Sequence, residues 1–497
     1  MKRSPELLRL ADSVLLPGFE GLTPPDWLRR RLGEGLAGVV LFSRNVDTVA
    51  RLTELTAALR AENPDALVGI DEETGDVTRL EARTGSSRPG NYALGVVDDV
   101  ALTEEIARGV GADLAAAGVD VDFAPTADVN SNPANPVIGL RSFGADPALV
   151  ARHTAAWIRG LQAAGVAACA KHFPGHGDTA VDSHHGLPTI AGSRERLHEV
   201  ELPPFRAAIA ADVRVIMSGH LLVGAYDPDV PATLSPRVMT GLLREELGFE
   251  GVIVTDAIEM AAVADRYGIG GGGARAIAAG ADLICVGGEN AGDEVVAELR
   301  EAIADAVAAG LLPEERLADA AKRVTALAGW TDPGRRQDPG DPRAGLEAAR
   351  RALRIRPEAG GGALPITVAP HVAELSPRMN LAIDKDMPWG VGEPLGKLLP
   401  GTTCVRLQEG GHLDRLEEAV LTPAAGRPLV VVVRDAHRHS WQTAVLDRVL
   451  AARPDAIVVE MGLPGRADLG AVHLATHGAA RVCGQAAAEA LAGLLVD

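Results

Sequence analysis

"VAACAKHFPGHGDT", residues 166–179, passes from small apolar side chains straight into a lysine, two histidines and an aspartate. A run that is apolar at every position suits a strand covered on both faces, as in a parallel sheet flanked by helices. The break at Lys171 and His172 then places ionisable groups at the strand's C-terminal end. Seven more runs share this form: "SVLLPGF" (13–19), "GVVLFS" (38–43), "ALVGIDEE" (66–73), "VDVDFAPTAD" (119–128), "VRVIMSGHLL" (213–222), "GVIVTDAIEM" (251–260) and "ADLICVGGEN" (281–290). Helix-patterned segments separate them. Eight such units predict an α/β chain whose N-terminal domain, residues 1–330, is a (β/α)8 TIM-type barrel. In that fold the strand C-termini converge on the face that carries chemistry. Here they present Asp71, Asp128, Lys171 with His172, His220 and Asp256.

After "AKRVTALAGW" the stretch "TDPGRRQDPGDPRAG", rich in Pro, Gly and charge, reads as a linker over 331–345. Residues 346–497 follow as a smaller C-terminal α/β sandwich domain, marked by "RPLVVVVRDAH" (427–437) and "PDAIVVEMGLPG" (454–465) with a helical pattern between. The glycine run in "YGIGGGGARAIAAGADLICV" (267–286) has no strand immediately before it, so it is not read as a dinucleotide fingerprint.

A formal charge of −19 leaves nothing to attract nucleic acid or an anionic membrane. No stretch of about 18 apolar residues marks a membrane span. "MKRSPELLRLADSVLLPGFEG" reads as an amphipathic helix rather than a signal peptide, because charges interrupt its apolar positions, and a cytoplasmic location is expected. Cys169, Cys285, Cys404 and Cys483 are widely spaced, which disfavours a structural zinc or a disulfide framework, and the first two read as small core residues.

The extended stretch "KHFPGHGDTAVDSHHGLP" (171–188) admits three readings: a metal site, an acid/base loop, or a polar loop that happens to be histidine-rich. His172, His176, His184 and His185 with Asp178 and Asp182 could offer ligands, yet their spacing matches no compact motif, and the Lys171 ammonium opposes a cation. No metal and no cofactor are expected. Asp182 and His184 suit an acid/base pair, with a carboxylate on one imidazole nitrogen and the other nitrogen left to move a proton. Asp256 is a strand-end carboxylate able to attack an electrophilic carbon. Plainer roles suit the rest: His176 and Asp178 shape the turn, His185 is solvated, and His220 either lines the pocket or holds structure.

"KHFPGHGDT…DSH", "FAPTADVNSNPANPVIGLRSFG" (123–144), "PATLSPRVM…LREELGFEGVIVTDAIEM" (231–260) and "IDEETGDVTRL" (70–80) resemble the barrel motifs of glycoside hydrolase family 3, in its β-N-acetylhexosaminidase branch. The resemblance spans most of residues 1–330, and the C-terminal domain is similar to that of two-domain members. It implies an exo-acting, retaining β-N-acetylglucosaminidase with His184 as acid/base, Asp182 as its partner and Asp256 as nucleophile. It also implies that Asp71, Asp128, Arg141, Lys171 and His172 bind the hydroxyls of a terminal N-acetylglucosamine. The chain departs from the pattern at Thr74, where relatives carry the first glycine of an acidic-Gly-Gly run, so a β-branched side chain lies beside the implied sugar pocket.

Retaining glycosidases usually pair two carboxylates about 5 Å apart, whereas here a histidine with an unperturbed pKa of about 6.5 replaces one of them. The partner expected is a small glycoside. An aromatic content of 3% suits one pocket-bound sugar better than a polymer lying on stacking platforms. Two alternatives remain open at this level: a phosphorylase, since a neutral histidine does not repel phosphate, and a non-catalytic sugar-binding protein.

Overall fold

The computed structural model describes residues 4–181, 186–190, 192–287, 292–331, 340–357, 364–410, 415–466 and 469–495. They fall into two compact units. One comprises Met1–Glu73, Val100–Ile138 and Ser142–Asp341; the other comprises Thr74–Asp99, Gly139–Arg141 and Pro342–Asp497.

In the first unit all eight expected strands form: β1 (Leu15–Pro17), β2 (Gly38–Leu41), β3 (Leu67–Ile70), β4 (Val121–Asp122), β5 (Ala167–Phe173), β6 (Val215–Ser218), β7 (Val252–Thr255) and β8 (Ile284–Val286). Strands β2 to β7 pair in chain order as one parallel sheet, and β8 pairs with β1, again parallel. A parallel bridge between Val254 and Leu283 joins β7 to the residue before β8. The Ala37 amide donates to the Asp12 carbonyl (3.1 Å) between the stretches that lead into β2 and β1. The chain is therefore an α/β protein with an N-terminal TIM-type barrel.

The strands are nearly all buried, because each meets the barrel interior on one face and helices on the other. Phe123, Cys169, Met217, Val254 and Cys285 belong to one core cluster, so Cys169 and Cys285 pack as small apolar side chains. The helix Pro147–Ala163 shows the local logic of the outer layer. Asp146 caps it by accepting from the Leu149 amide (2.8 Å), proline opens it, and Val150, His153, Trp157 and Leu161 turn one stripe inward. Glycines of the 267–286 run lie inside the helix Ile269–Ala279. A Cβ on Gly273 would come within 2.5 Å of Leu299, so they serve close helix packing.

The second unit is built on a six-stranded sheet: β9 (Arg354–Pro357), β10 (His371–Ser376), β11 (Thr403–Gln408), β12 (Leu429–Val433), β13 (Ile457–Glu460) and β14 (Val472–Ala475). Its order is β9-β14-β13-β12-β10-β11, with β9 antiparallel and the rest parallel. The five parallel strands follow the doubly wound 2-1-3-4-5 pattern. The excursion Thr74–Asp99 belongs to this unit through a buried Asp76–Arg434 ion pair, an Arg351–Asp99 pair (2.9 Å) and a bond from Arg481 Nε to the Gly85 carbonyl (3.2 Å). Composition marks only the last crossing, at 331–345. The earlier excursions are set by contacts distant in sequence. Within this unit Thr74 is buried with φ of 65°, the left-handed region that a β-branched residue rarely adopts.

Candidate active site

Lys171 lies on β5 and is 2% exposed, which requires that its ammonium be paired. Its Nζ is 2.6 Å from Asp71 Oδ1, just beyond β3, and 2.6 Å from Glu73 Oε1. The other Glu73 oxygen accepts from Thr126 Oγ1 (3.1 Å). Beneath this group the Glu72 amide donates to Asp122 Oδ1 (2.8 Å), which fixes the turn that carries Asp71 and Glu73. Burial raises the Asp122 pKa well above the usual carboxylate range.

A second arrangement centres on Asp128, which is wholly buried beyond β4. Its Oδ2 is 2.7 Å from His172 Nδ1, and its Oδ1 accepts from the amides of His172 (3.1 Å) and His176 (2.7 Å). A carboxylate on Nδ1 selects the tautomer that leaves His172 Nε2 for another partner. His176 is turned into the loop itself: its Nδ1 meets Thr179 Oγ1 at 2.7 Å, and burial lowers its pKa so that it is neutral. It holds the loop's shape, in line with its plainer reading.

Asp256 follows β7 and is half-buried; its amide donates to the Ser218 carbonyl (3.0 Å), and its Oδ1 accepts from the Ala257 amide (2.8 Å). His220 is committed on both sides, with Nδ1 at 2.8 Å from Thr233 Oγ1 and Nε2 at 3.0 Å from the Ala257 carbonyl. It is structural, steadying the turn that carries Asp256. The Cys169 thiol in the barrel interior registers the surrounding charges: burial pushes its pKa up, Asp71, Asp122 and Asp256 add to the push, and Lys171 opposes it.

The structure thus brings together Asp71 with Lys171 and Asp128 with His172, and it puts Asp256 at a strand end of the same unit. Arg141 sits in the second unit, in a short 3-10 turn, where its carbonyl accepts from Asn91 Nδ2 (2.7 Å). Asp182, His184 and His185 lie outside the described residues. Glu73 was missed by the sequence reading; the signal was present in the "DEE" that ends the third strand run. Among the described residues no group of three His, Cys, Asp or Glu side chains is placed to hold a metal ion.

Strand-end carboxylates around a buried lysine and a carboxylate-bound histidine lie on the face where barrels of this kind carry their chemistry. Residues 31–327 match the glycosyl hydrolase family 3 N-terminal domain, and the chain belongs to that family. A solved β-N-acetylglucosaminidase of the family from Paenibacillus sp. FPU-7 superposes with a TM-score of 0.87 at 34% identity, covering 99% of this chain and 97% of that one. The chain is also 38% identical over 270 residues to a β-hexosaminidase of Stenotrophomonas maltophilia, covering 52% of this chain and 78% of that protein. It is 36% identical over 329 residues to β-hexosaminidase A of Pseudoalteromonas piscicida. That match takes in 61% of this chain and only 55% of the relative's length.

Proposed function

We propose that the protein is an exo-acting, retaining β-N-acetylglucosaminidase that releases terminal N-acetylglucosamine from small glycoconjugates. The observation that carries the reading is Asp256 at the end of β7, in the same barrel that pairs Asp71 with Lys171 and Asp128 with His172. The relatives' activities support the choice of sugar.

In this reading Asp71, Asp128, Lys171 and His172 bind the sugar hydroxyls, because buried charge-assisted pairs offer fixed donors and acceptors. Asp256 attacks the anomeric carbon while His184 gives its proton to the departing oxygen, so the glycosidic bond breaks as the glycosyl-aspartate bond forms. The neutral His184 then takes a proton from water, whose oxygen attacks the same carbon and expels Asp256. Asp182 orients the imidazole and stabilises its cation.

A panel of nitrophenyl β-glycosides tests this directly. The expected result is preferential cleavage of the N-acetyl-β-glucosaminide, with free N-acetylglucosamine as product whether or not phosphate is present. A sugar phosphate as the main product in phosphate buffer would replace hydrolysis by phosphorolysis; no turnover of any member of the panel would leave a binding protein.

A further inference from the structure

The loop that donates to Asp128 is gripped from two sides. On one side Gly177 lies so close to Val129 that an added Cβ would stand 1.7 Å from its carbonyl oxygen, and Asn135 Nδ2 donates to the His176 carbonyl (2.8 Å). On the other side stands Glu201, between the helices Arg194–Val200 and Leu202–Ala210. Gly175 takes φ of +128°, and a Cβ there would meet Glu201 Oε2 at 2.5 Å, so the carboxyl is pressed against the backbone of the turn.

Glu201 is 3% exposed, and among the described residues its Oε2 makes no hydrogen bond. It borders a small cavity whose other polar lining is Asp178, Ser193 and Arg196. The charged groups acting on it are Asp128 and Asp178, both repulsive to an anion, and Arg196, the weakest of the three. Among the described residues no cation pairs with it, and a buried carboxyl with two acidic neighbours favours the neutral acid. Burial, with Asp128 and Asp178 adding to it, pushes its pKa to about 8.

We propose that Glu201 is a positioning residue for the Asp128–His172 pair: as a neutral acid against Gly175 it holds the Pro174–Asp178 turn on Asp128, and its ionisation loosens that turn. The chain of contacts is short. Glu201 abuts Gly175, the next amide, His176 N–H, donates to Asp128 Oδ1, and Asp128 Oδ2 fixes His172. The proposal rests on the reading of that pair as a sugar-binding group, but its first consequence needs no substrate.

Opening the turn would return Glu201 to water and to an ordinary carboxylate pKa, so opening releases a proton wherever the closed form is protonated and the open form is not. That window runs from about pH 4.5 to about pH 8, and within it the opening equilibrium rises by up to about tenfold per pH unit. Below the window both forms are protonated; above it both are ionised, and the dependence stops.

Hydrogen exchange of the Gly175 and His176 amides in the full chain, corrected for intrinsic rate, reads this equilibrium. In the unaltered protein the corrected rate should climb from pH 6 to pH 8 and then level, while in Glu201→Gln it should stay flat. In parallel, KM for an N-acetyl-β-glucosaminide should rise across the same range in the unaltered protein and not in Glu201→Gln. Corrected exchange that is level with pH in the unaltered protein overturns the proposal without recourse to the variant. Rising exchange with a level KM overturns the positioning role. Rising exchange in a protein that cleaves no glycoside leaves the loop coupling standing and removes the enzymatic reading instead.

Discussion

Lys171 could be picked out from one row of letters because an ammonium directly after an apolar run has few ways to be satisfied. Asp71, Asp128, His172 and Asp256 were legible for the same reason: a strand buried on both faces ends where polar groups begin. Glu73 and Glu201 were not. The first is hidden in a run of three acids, only one of which must end the strand. The second is a single acid between two helices, and only its approach to Gly175, 26 positions earlier (201 − 175 = 26), makes it notable. Replacing His184 with glycine should cost about 10²- to 10⁴-fold in kcat/KM for a natural disaccharide, whose leaving oxygen needs a proton. Glycosylation by an activated nitrophenyl substrate should be far less affected, and the covalent intermediate should accumulate as a burst that azide relieves. Equal losses for both substrates, with no burst and no rescue, would assign His184 to structure or to binding.

At the scale of elements, most of the eight barrel strands were readable as short apolar runs, although β4 takes in Asp122 and β5 runs on through Lys171 and His172. The second sheet was readable only in its middle. β12 and β13 are such runs, whereas β10 carries Glu374 and β11 is an edge strand that is largely exposed. Glu374 looks like a strand breaker in sequence, yet it is buried: its Oε1 accepts from the amides of Val391 and Gly392, and its Oε2 pairs with Arg406. The loop after β5 is the element on which the site depends most, and Gly177 probes it. Because a methyl there would collide with the Val129 carbonyl, Gly177→Ala should lift the loop and weaken the His176–Asp128 bond. The expected outcome is a loss of about 1–3 kcal/mol in stability, as for other overpacked sites, together with a raised KM. Thermal unfolding and steady-state kinetics check it; an unchanged Tm and KM would show that the loop is not gripped on this side.

Over the whole molecule, composition marks one boundary, at 331–345, and contacts distant in sequence set the others, since Thr74–Asp99 and Gly139–Arg141 join the second unit. Charge also reads differently once folded. The formal −19 counts Glu201 and Glu460 as anions, although burial lifts both to about 8. Asp12, held at about 6, is only partly protonated near neutrality. The proposed reaction turns on one strand-end carboxylate, Asp256, acting as nucleophile. The most direct test incubates the enzyme with a mechanism-based fluorosugar bearing the N-acetyl group, then maps the labelled peptide by mass spectrometry. A sugar attached to Asp256, with no label in Asp256→Ala that remains folded, is the predicted result. A label on any other residue, or steady turnover by Asp256→Ala, would contradict it.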